Sequence, residues 1–256
     1  MAPDHAATPK RFPAAPPSGA PAGDTISCRA TNPLSLDDDV GRVFLDERQA
    51  KATTATRLFR NPELFAALRK RVMPAFFEGA GKRRNTECHI WSAGCSSGEE
   101  AYSLAMVAMD DFHRRGLPPR VVCCGTDINP RCLAEAMAGL YGRPGPGAFG
   151  PEGWALVSRY MEPEGGGGLR VRPELRSACR FGLFDLRQKP KNHTFDFIVC
   201  NHVLQYYDPP GQRHILANFK AVLRPGGRMY LEGITRDTLR GTGFQPDGEA
   251  ANLFCV

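Results

Sequence analysis

The chain has 256 residues, of which 42% are hydrophobic and 23% are charged, with a formal net charge of +6. This length suffices for one domain of about 150–200 residues with appendages, and the composition excludes a fibrous, coiled-coil or wholly disordered protein. The basic residues form no continuous stripe, so we expect no nucleic-acid partner. No apolar run reaches the ~20 residues of a membrane-spanning helix and the N-terminus shows no secretion signal, so we expect a cytoplasmic protein without membrane insertion.

The N-terminal third divides into two segments. Residues 1–35 contain seven prolines among Ala, Gly and Ser, which predicts a disordered tail. Residues 36–86 are predicted to be an N-terminal helical segment, because apolar residues recur at helical spacing within it. Asn61 is a suitable helix cap, and Pro62 suits the first helical turn.

The remaining residues, 87–256, are predicted to form one domain in which strands alternate with helices. Three helices are predicted: one covers residues 99–115, one runs from just after Asp127 to residue 138, and one covers residues 212–223. The predicted strands cover residues 89–93, 120–125, 180–183, 195–200, 228–233 and 250–255. This alternation predicts an α/β fold with a mostly parallel sheet and helices on both faces, and such folds bind ligands at the carboxyl ends of their strands.

A segment of about residues 141–176 interrupts the alternation and is rich in Gly and Pro. It contains one helix-like stretch, residues 153–161, and residues 169–171 suggest a short hairpin arm. We interpret it as a small inserted lid or subdomain over the site, with a bare linker as the alternative.

The nine cysteines are odd in number, and several lie inside apolar runs. No CxxC pair or Cys/His spacing typical of zinc occurs. We therefore expect reduced, buried thiols and no metal site.

The sequence IWSAGCSSGEE at residues 90–100 connects the first predicted strand to a helix. Gly94 and Gly98 allow a sharp turn against which a ligand can lie. The helix N-terminus carries Glu99 and Glu100, which favour the helix dipole but repel phosphate. The loop therefore favours a cationic or zwitterionic ligand over a nucleotide phosphate.

Two further acids follow predicted strands. Asp127 ends the second strand, where a carboxylate can accept from both ribose hydroxyls; a helix N-cap is its alternative role. Asp185 follows the third strand and could accept from an exocyclic amine such as that of adenine, with a turn-forming role as its alternative. The fourth strand delivers Asn201, His202 and Tyr206 to the same edge.

Together with the LRPGG turn at residues 223–227, these motifs resemble class I methyltransferases that use S-adenosyl-L-methionine (SAM). SAM has no phosphate, which agrees with the acidic helix start. The sequence WSAGCSSGEEAYSLAM at residues 91–106 closely resembles the CheR family, which methylates chemotaxis receptors on glutamate side chains. TDIN at residues 126–129 and TRLFR at residues 56–60 resemble the same family. The resemblance implies a Rossmann-like class I methyltransferase fold with SAM as cofactor.

The resemblance also implies roles for single residues. Glu100 would lie near the sulfonium or amino end of SAM, Asp127 on the ribose and Asp185 near the adenine. Arg60 and Tyr206 would lie beside the transferred methyl group. The residues expected to line the SAM pocket are Ala93, Gly94, Glu100, Asp127, Asp185 and Asn201.

The chain departs from the family on the substrate side of the cleft. The family's Cys-Arg-Asn-Val is replaced by CNHV at residues 200–203, and its Gly-His-Ser-Glu by EGIT at residues 232–235. The N-terminal region poorly matches the family's helical domain. The acceptor therefore stays open between a protein carboxylate and a small-molecule metabolite, and the oligomeric state is also open.

Each acceptor class assigns a different role to the catalytic candidates. A carboxylate acceptor needs no base but needs a positive partner, for which Arg60 is the candidate. An amine, hydroxyl or thiol acceptor would make His202 a candidate base, and Tyr206 could shape the methyl pocket. Purely structural roles remain the alternatives, as do a non-catalytic SAM-binding regulator and an interaction module.

Overall fold

The computed structural model describes residues 56–80, 87–142, 144–145, 148–191, 193–248 and 250–256. The predicted tail at 1–35 and two parts of the predicted helical segment, 36–55 and 81–86, lie outside the described residues. None of the helices among the described residues combines the length and the hydropathy needed to cross a bilayer.

The helices and strands are numbered in chain order. The strands are β1 (Cys88–Ala93), β2 (Val121–Asp127), β3 (Leu140–Tyr141), β4 (Met161–Glu164), β5 (Gly168–Val171), β6 (Cys179–Leu183), β7 (Phe195–Asn201), β8 (Leu223–Glu232), β9 (Gln245–Pro246) and β10 (Leu253–Cys255). The α-helices are α1 (Pro62–Ala67), α2 (Met73–Ala80), α3 (Glu99–Arg114), α4 (Pro130–Ala138), α5 (Gly150–Tyr160), α6 (Pro173–Ala178), α7 (Pro209–Val222) and α8 (Arg236–Leu239). A π-helical turn, Leu68–Val72, joins α1 to α2.

Seven strands form one sheet in the order β6-β2-β1-β7-β8-β10-β9. The first five strands in this order are parallel to one another, whereas β10 runs antiparallel to β8 and β9 runs antiparallel to β10. The strand order reverses between β1 and β7, and such a switch point opens a crevice at the carboxyl ends of the strands. The predicted α/β fold with a mostly parallel sheet is confirmed.

Both faces of the sheet are covered, because alternate side chains of each strand point to opposite faces. On one face, Ile90 packs in a cluster with α3. On the other, the Trp91 ring stacks on Phe195 and meets Phe219 of α7 edge to face, each at a centroid distance of 5.1 Å. Trp91 Nε1 donates to Thr126 Oγ1 at 2.9 Å, which satisfies its only polar atom. Of the eight described cysteines seven are buried, as predicted.

The helix caps were partly predictable. The Asn61 side chain accepts from the backbone N–H groups of Glu63 and Leu64, and Pro62 occupies the first turn of α1, as predicted. The proposed N-cap role of Asp127 is wrong, because the cap of α4 is Asn129, whose side chain accepts from Arg131 N at 3.0 Å.

The inserted segment forms a subdomain. Its strands form a separate antiparallel sheet in the order β3-β5-β4, and the predicted helix is present as α5. Helices α5 and α6 pack against α3, and Tyr141 Oη donates to Ser97 O at 2.8 Å. The short strand β9 and helix α6 were not predicted, because two to six residues carry too little periodicity.

Several boundaries differ from the prediction. Helix α7 begins three residues early, at Pro209, because Asp208 caps it by accepting from Gly211 N at 2.9 Å. Strand β8 begins at Leu223 and passes through the Pro-Gly-Gly turn, with a register irregularity against β7. The last predicted strand shortens to β10.

Candidate functional site

A cavity of about 1000 Å³ opens at the carboxyl ends of the five parallel strands, at the switch point of the sheet. The loop before α1 and the start of that helix form the opposite wall. The sequence-predicted residues in the wall are Arg60, Gly94, Glu100, Asp127, Asn201, His202 and Tyr206. The fold therefore gathers into one space side chains that lie as much as 146 positions apart, from Arg60 to Tyr206.

The loop after β1 bends sharply at Gly94, which has a φ of +85°. A Cβ at this position would overlap Val203 Cγ2 in the loop that follows β7. The Gly94 and Cys95 N–H groups donate to Thr126 O at 2.7 and 2.9 Å, which ties the loop to β2. Glycine is therefore required here both by the backbone conformation and by the close approach of two loops.

The Asp127 carboxylate lies at the end of β2 and is held by backbone donors. Its Oδ2 accepts from Ser96 N at 2.8 Å, and its Oδ1 accepts from Asn129 N at 2.9 Å. Burial raises the pKa of Asp127 above its ordinary value. Each carboxylate oxygen can accept more than one hydrogen bond, so the group has capacity for a pair of hydroxyls in the cavity.

The Glu100 carboxylate lies at the start of α3, between β1 and β7. Its Oε1 accepts from Ser92 Oγ at 2.6 Å, and its Oε2 accepts from Asn201 Nδ2 at 2.7 Å. Burial raises the pKa of Glu100, while these two hydrogen bonds and the nearby charge of Arg60 oppose that rise. A cationic ligand group beside Glu100 would favour its ionised form.

Asn201 carries a further indication of a ligand. Its Nδ2 is used by Glu100, but its Oδ1 is buried and has no hydrogen-bond partner. Buried polar atoms are nearly always paired, so this oxygen fits a donor supplied by a ligand. The Glu100 carboxylate and the Asn201 amide oxygen fit the ammonium and sulfonium groups of SAM, and the Asp127 carboxylate fits its ribose hydroxyl groups.

Two predicted cofactor-binding residues do not reach the cavity wall. Ala93 is fully buried, one position before the Gly94 bend. Asp185 is also buried, and both of its oxygens accept from the Arg187 guanidinium at 2.5–3.0 Å. Its two neighbours, Phe184 and Leu186, line the cavity instead and offer an apolar surface for a base.

The other side of the cavity holds the three catalytic candidates. Arg60 is exposed, Tyr206 is half-buried, and both line the wall. His202 has a φ of +57°, an unusual conformation for a non-glycine residue and one that clusters at functional sites. Its Nε2 lies 3.2 Å from Glu232 Oε2, and the His202 N–H donates to Glu232 O at 3.0 Å.

Glu232 and Asn61 are two wall residues for which the sequence indicated no contact with each other. Glu232 ends β8, and its Oε1 accepts from Asn61 Nδ2 at 2.6 Å, Tyr230 Oη at 3.1 Å and Asn252 Nδ2 at 3.3 Å. Asn61 was predicted only as a helix cap. The sequence signals for Glu232 were its position near the end of a predicted strand and the departure from the family at residues 232–235. Its contacts with Asn61 and Asn252 could not be predicted, since these residues are distant in sequence.

The inserted subdomain supplies none of the described residues that line this cavity. It lies against α3, and Phe149 contacts Phe59 with ring centroids 5.9 Å apart, just outside the wall. Within the described ranges, no cluster of three or more His, Cys, Asp or Glu side chains could hold a metal ion.

Comparison with known proteins agrees with this geometry. The family model described as the SAM-binding domain of CheR methyltransferases matches residues 54–235. Chemotaxis protein methyltransferase 1 of Pseudomonas aeruginosa is 34% identical over 187 residues, which cover 71% of this chain and 66% of that protein. The chemotaxis protein methyltransferase of Listeria monocytogenes is 32% identical over 204 residues, covering 75% of this chain and 69% of that protein.

A third relative is described as a probable biofilm formation methyltransferase, WspC, of Pseudomonas putida. It is 31% identical over 238 residues, which cover 90% of this chain and 54% of that protein. The chain thus spans between about half and two thirds of the length of several relatives it matches. The family match covers most of the chain and includes the loops that form the cavity, and on this basis the chain belongs to the CheR methyltransferase family.

Proposed function

We propose that this protein is a CheR-type methyltransferase that transfers the methyl group of SAM to an acceptor in the cavity. The observation that carries the proposal is the Glu100–Asn201 pair, which lines the same cavity as Asp127 and in which the buried Asn201 Oδ1 has no hydrogen-bond partner. We also infer that residues 87–256 are the methyltransferase domain, and that the preceding segment supplies Arg60 and Asn61 to its wall.

In this proposal each acid holds one part of the cofactor. Glu100 and Asn201 accept from the ammonium of the amino-acid end, Asp127 accepts from the ribose hydroxyls, and Phe184 and Leu186 contact the base. When bound, SAM supplies a methyl group already activated on a positively charged sulfur. The remaining task of the protein is to align an acceptor with that methyl group and to exclude water.

Arg60, His202 and Tyr206 are the residues proposed to align the acceptor. A guanidinium can orient a carboxylate, and a tyrosine ring and hydroxyl can limit the space beside the methyl group. The resemblance to the CheR family, which methylates receptor glutamates, supports a carboxylate on a protein as acceptor, and the relatives named chemotaxis protein methyltransferases agree with a role in chemotaxis. The changed substrate side at His202 and Glu232 supports an acceptor of different chemistry, including a small molecule.

Calorimetry with SAM and S-adenosylhomocysteine tests the cofactor half of this proposal on the full chain. We expect both to bind, and a dinucleotide such as NAD not to bind. Absence of binding to SAM and S-adenosylhomocysteine, with tight binding of NAD, would refute the proposal.

Release of S-adenosylhomocysteine with candidate acceptors tests turnover. The acceptors are glutamate-containing receptor peptides and a panel of small amines and alcohols. Tight SAM binding without turnover of any acceptor would instead favour a SAM-binding regulator.

A further inference from the structure

The carboxylate of Glu232 has no role in the cofactor contacts proposed above, yet it lines the same cavity. Glu232 pairs in register with Asn201 on the neighbouring strand. Its side chain is one fifth exposed, so it is accessible from the cavity and still well surrounded by protein.

The strand order places Glu232 beyond the cofactor contacts. The sheet edge runs from Asp127 on β2, through the ends of β1 and β7, to Glu232 on β8. Strands lie about 4.8 Å apart, so three steps separate the two carboxylates by roughly 14 Å. With the ribose at Asp127 and the amino-acid end at Glu100 and Asn201, Glu232 lies on the side from which an acceptor approaches.

The Glu232 carboxylate is fixed in place by surrounding donors. Asn61, Tyr230 and Asn252 all donate to Oε1, whereas Oε2 lies against His202 Nε2. Three donors on one oxygen hold the group rigidly. The second oxygen and the His202 ring then form a carboxylate–imidazole pair at the cavity wall, and such a pair stabilises an imidazolium.

The charges of the wall point in the same direction. Among the described wall residues, four carboxylates stand against three guanidinium groups: Glu63, Glu100, Asp127 and Glu232 against Arg57, Arg60 and Arg131. An additional free carboxylate placed beside Glu232 would meet a like charge in a partly buried site. A group that donates a proton or hydrogen bond would instead find an acceptor.

We propose that Glu232 and His202 select a protic acceptor, an amine, hydroxyl or thiol, and disfavour a free carboxylate. This inference rests on the proposed methyltransferase function and specifies its substrate class. In the reaction, the lone pair of the acceptor nitrogen, oxygen or sulfur forms the new bond to the methyl carbon, and the methyl–sulfur bond breaks. The bonding pair stays on sulfur, which gives neutral S-adenosylhomocysteine. The proton of the acceptor passes to His202, and Glu232 stabilises the resulting imidazolium until water removes the proton.

Sinefungin provides a probe that needs no knowledge of the acceptor. It carries an amine where SAM carries the sulfonium methyl group, so its ammonium reports on the acceptor side of the cavity. We expect the full-length protein to bind sinefungin more tightly than S-adenosylhomocysteine. Glu232→Gln should weaken sinefungin binding about tenfold, as expected for a lost charge-assisted hydrogen bond, and leave S-adenosylhomocysteine binding within about twofold.

Glu63→Gln is the matched control, because it removes one negative charge from an exposed part of the same wall. It should leave the ratio of the two affinities unchanged. Gln at position 232 keeps an oxygen that accepts from Asn61, so the fold should be retained, and thermal unfolding verifies this.

The outcomes distinguish a wrong role for Glu232 from a wrong function for the protein. Loss of affinity for both ligands to the same degree in Glu232→Gln, or no change for either, overturns the assignment of Glu232 to the acceptor side. If the wild type methylates a glutamate peptide as fast as Glu232→Gln does, or faster, the proposed selection against carboxylates is wrong. Failure of the wild type to bind S-adenosylhomocysteine at all refutes the proposed function instead.

Discussion

The two halves of the cavity are built in different ways. In the cofactor half, formed by the loops after β1 and β2 with the end of β7, the Asp127 carboxylate is held by the backbone N–H groups of Ser96 and Asn129, and Glu100 accepts from the side chains of Ser92 and Asn201. In the acceptor half, formed by the loop after β7, the end of β8 and the start of α1, Glu232 is held by side chains. Asn61 lies 171 positions before it and Asn252 lies 20 positions after it.

This difference indicates how freely each half can change. Backbone donors in a tight glycine loop keep their positions when surrounding side chains vary, so the hydrogen bonds that hold Asp127 depend on the conformation of that loop. Side chain to side chain bonds depend on several separate positions, so the acceptor half can take on new chemistry when any of them changes. Substitutions in each half of the cavity test this difference.

The largest effect is expected for Asp127→Ala in the cofactor half. The substitution removes the proposed ribose acceptor and leaves the Ser96 and Asn129 N–H groups without their partner. We expect a loss of about 100-fold in affinity for S-adenosylhomocysteine, measured by calorimetry. Asp127→Asn keeps one acceptor oxygen and should lose less. Wild-type affinity in Asp127→Ala would refute the cofactor assignment.

Gly94→Ala should destabilise the fold by about 2 kcal/mol, because the φ of +85° and the overlap with Val203 act together. Chemical denaturation measures this free energy of unfolding. The double variant Gly94→Ala/Val203→Ala removes the overlap and should recover part of the loss. No recovery would mean that backbone conformation alone sets the requirement for glycine.

The affinity for SAM should fall on acidification, starting above the ordinary pKa of about 4.3 for a glutamate. Burial raises the pKa of Glu100 and of Asp127, and the cationic ligand binds the ionised forms. Protonation as the pH falls through the raised values therefore removes attraction, by up to about tenfold per pH unit for each group. Glu100→Gln should bind more weakly at neutral pH and show a flatter pH profile in calorimetry. An equally steep profile in this variant would exclude Glu100 as a titrating group.

The smallest effect is expected in the acceptor half for Asn61→Asp. Aspartate retains the oxygen that caps α1, but it loses the donor to Glu232 and places two carboxylates together. We expect a loss of about 1 kcal/mol in the free energy of unfolding with S-adenosylhomocysteine affinity unchanged.

The double variant Asn61→Asp/Glu232→Gln restores a donor–acceptor pair and should recover stability. A large loss of S-adenosylhomocysteine affinity in the single variant would show that the two halves are coupled.

The part of the site that could be predicted from the sequence also differs between the cofactor half and the acceptor half. The parallel sheet, the glycine bend at Gly94 and the placement of Glu100 and Asp127 follow from contiguous sequence motifs at the ends of predicted strands, although their hydrogen-bond partners Asn201, Ser96 and Thr126 lie on other segments. Asp185 was placed by its position after a strand, but the neighbouring Arg187 takes up its carboxylate. Glu232 was placed on the substrate side only as part of the departure at residues 232–235. The hydrogen bonds that hold its carboxylate could not be predicted, because Asn61 and Asn252 reach it only after β8, β10 and α1 have packed.

The direction of β10 has a consequence for the chemistry of the protein. Because this strand runs opposite to β8, the turn before it lies at the carboxyl ends of the parallel strands. There Leu231 N donates to Asn252 O, and Asn252 Nδ2 donates to Glu232. The β9–β10 hairpin is thus a short, separate segment that contacts Glu232, one of the residues proposed to select the acceptor. Substituting residues 250–252 should change which acceptor is methylated and leave the binding of SAM unchanged.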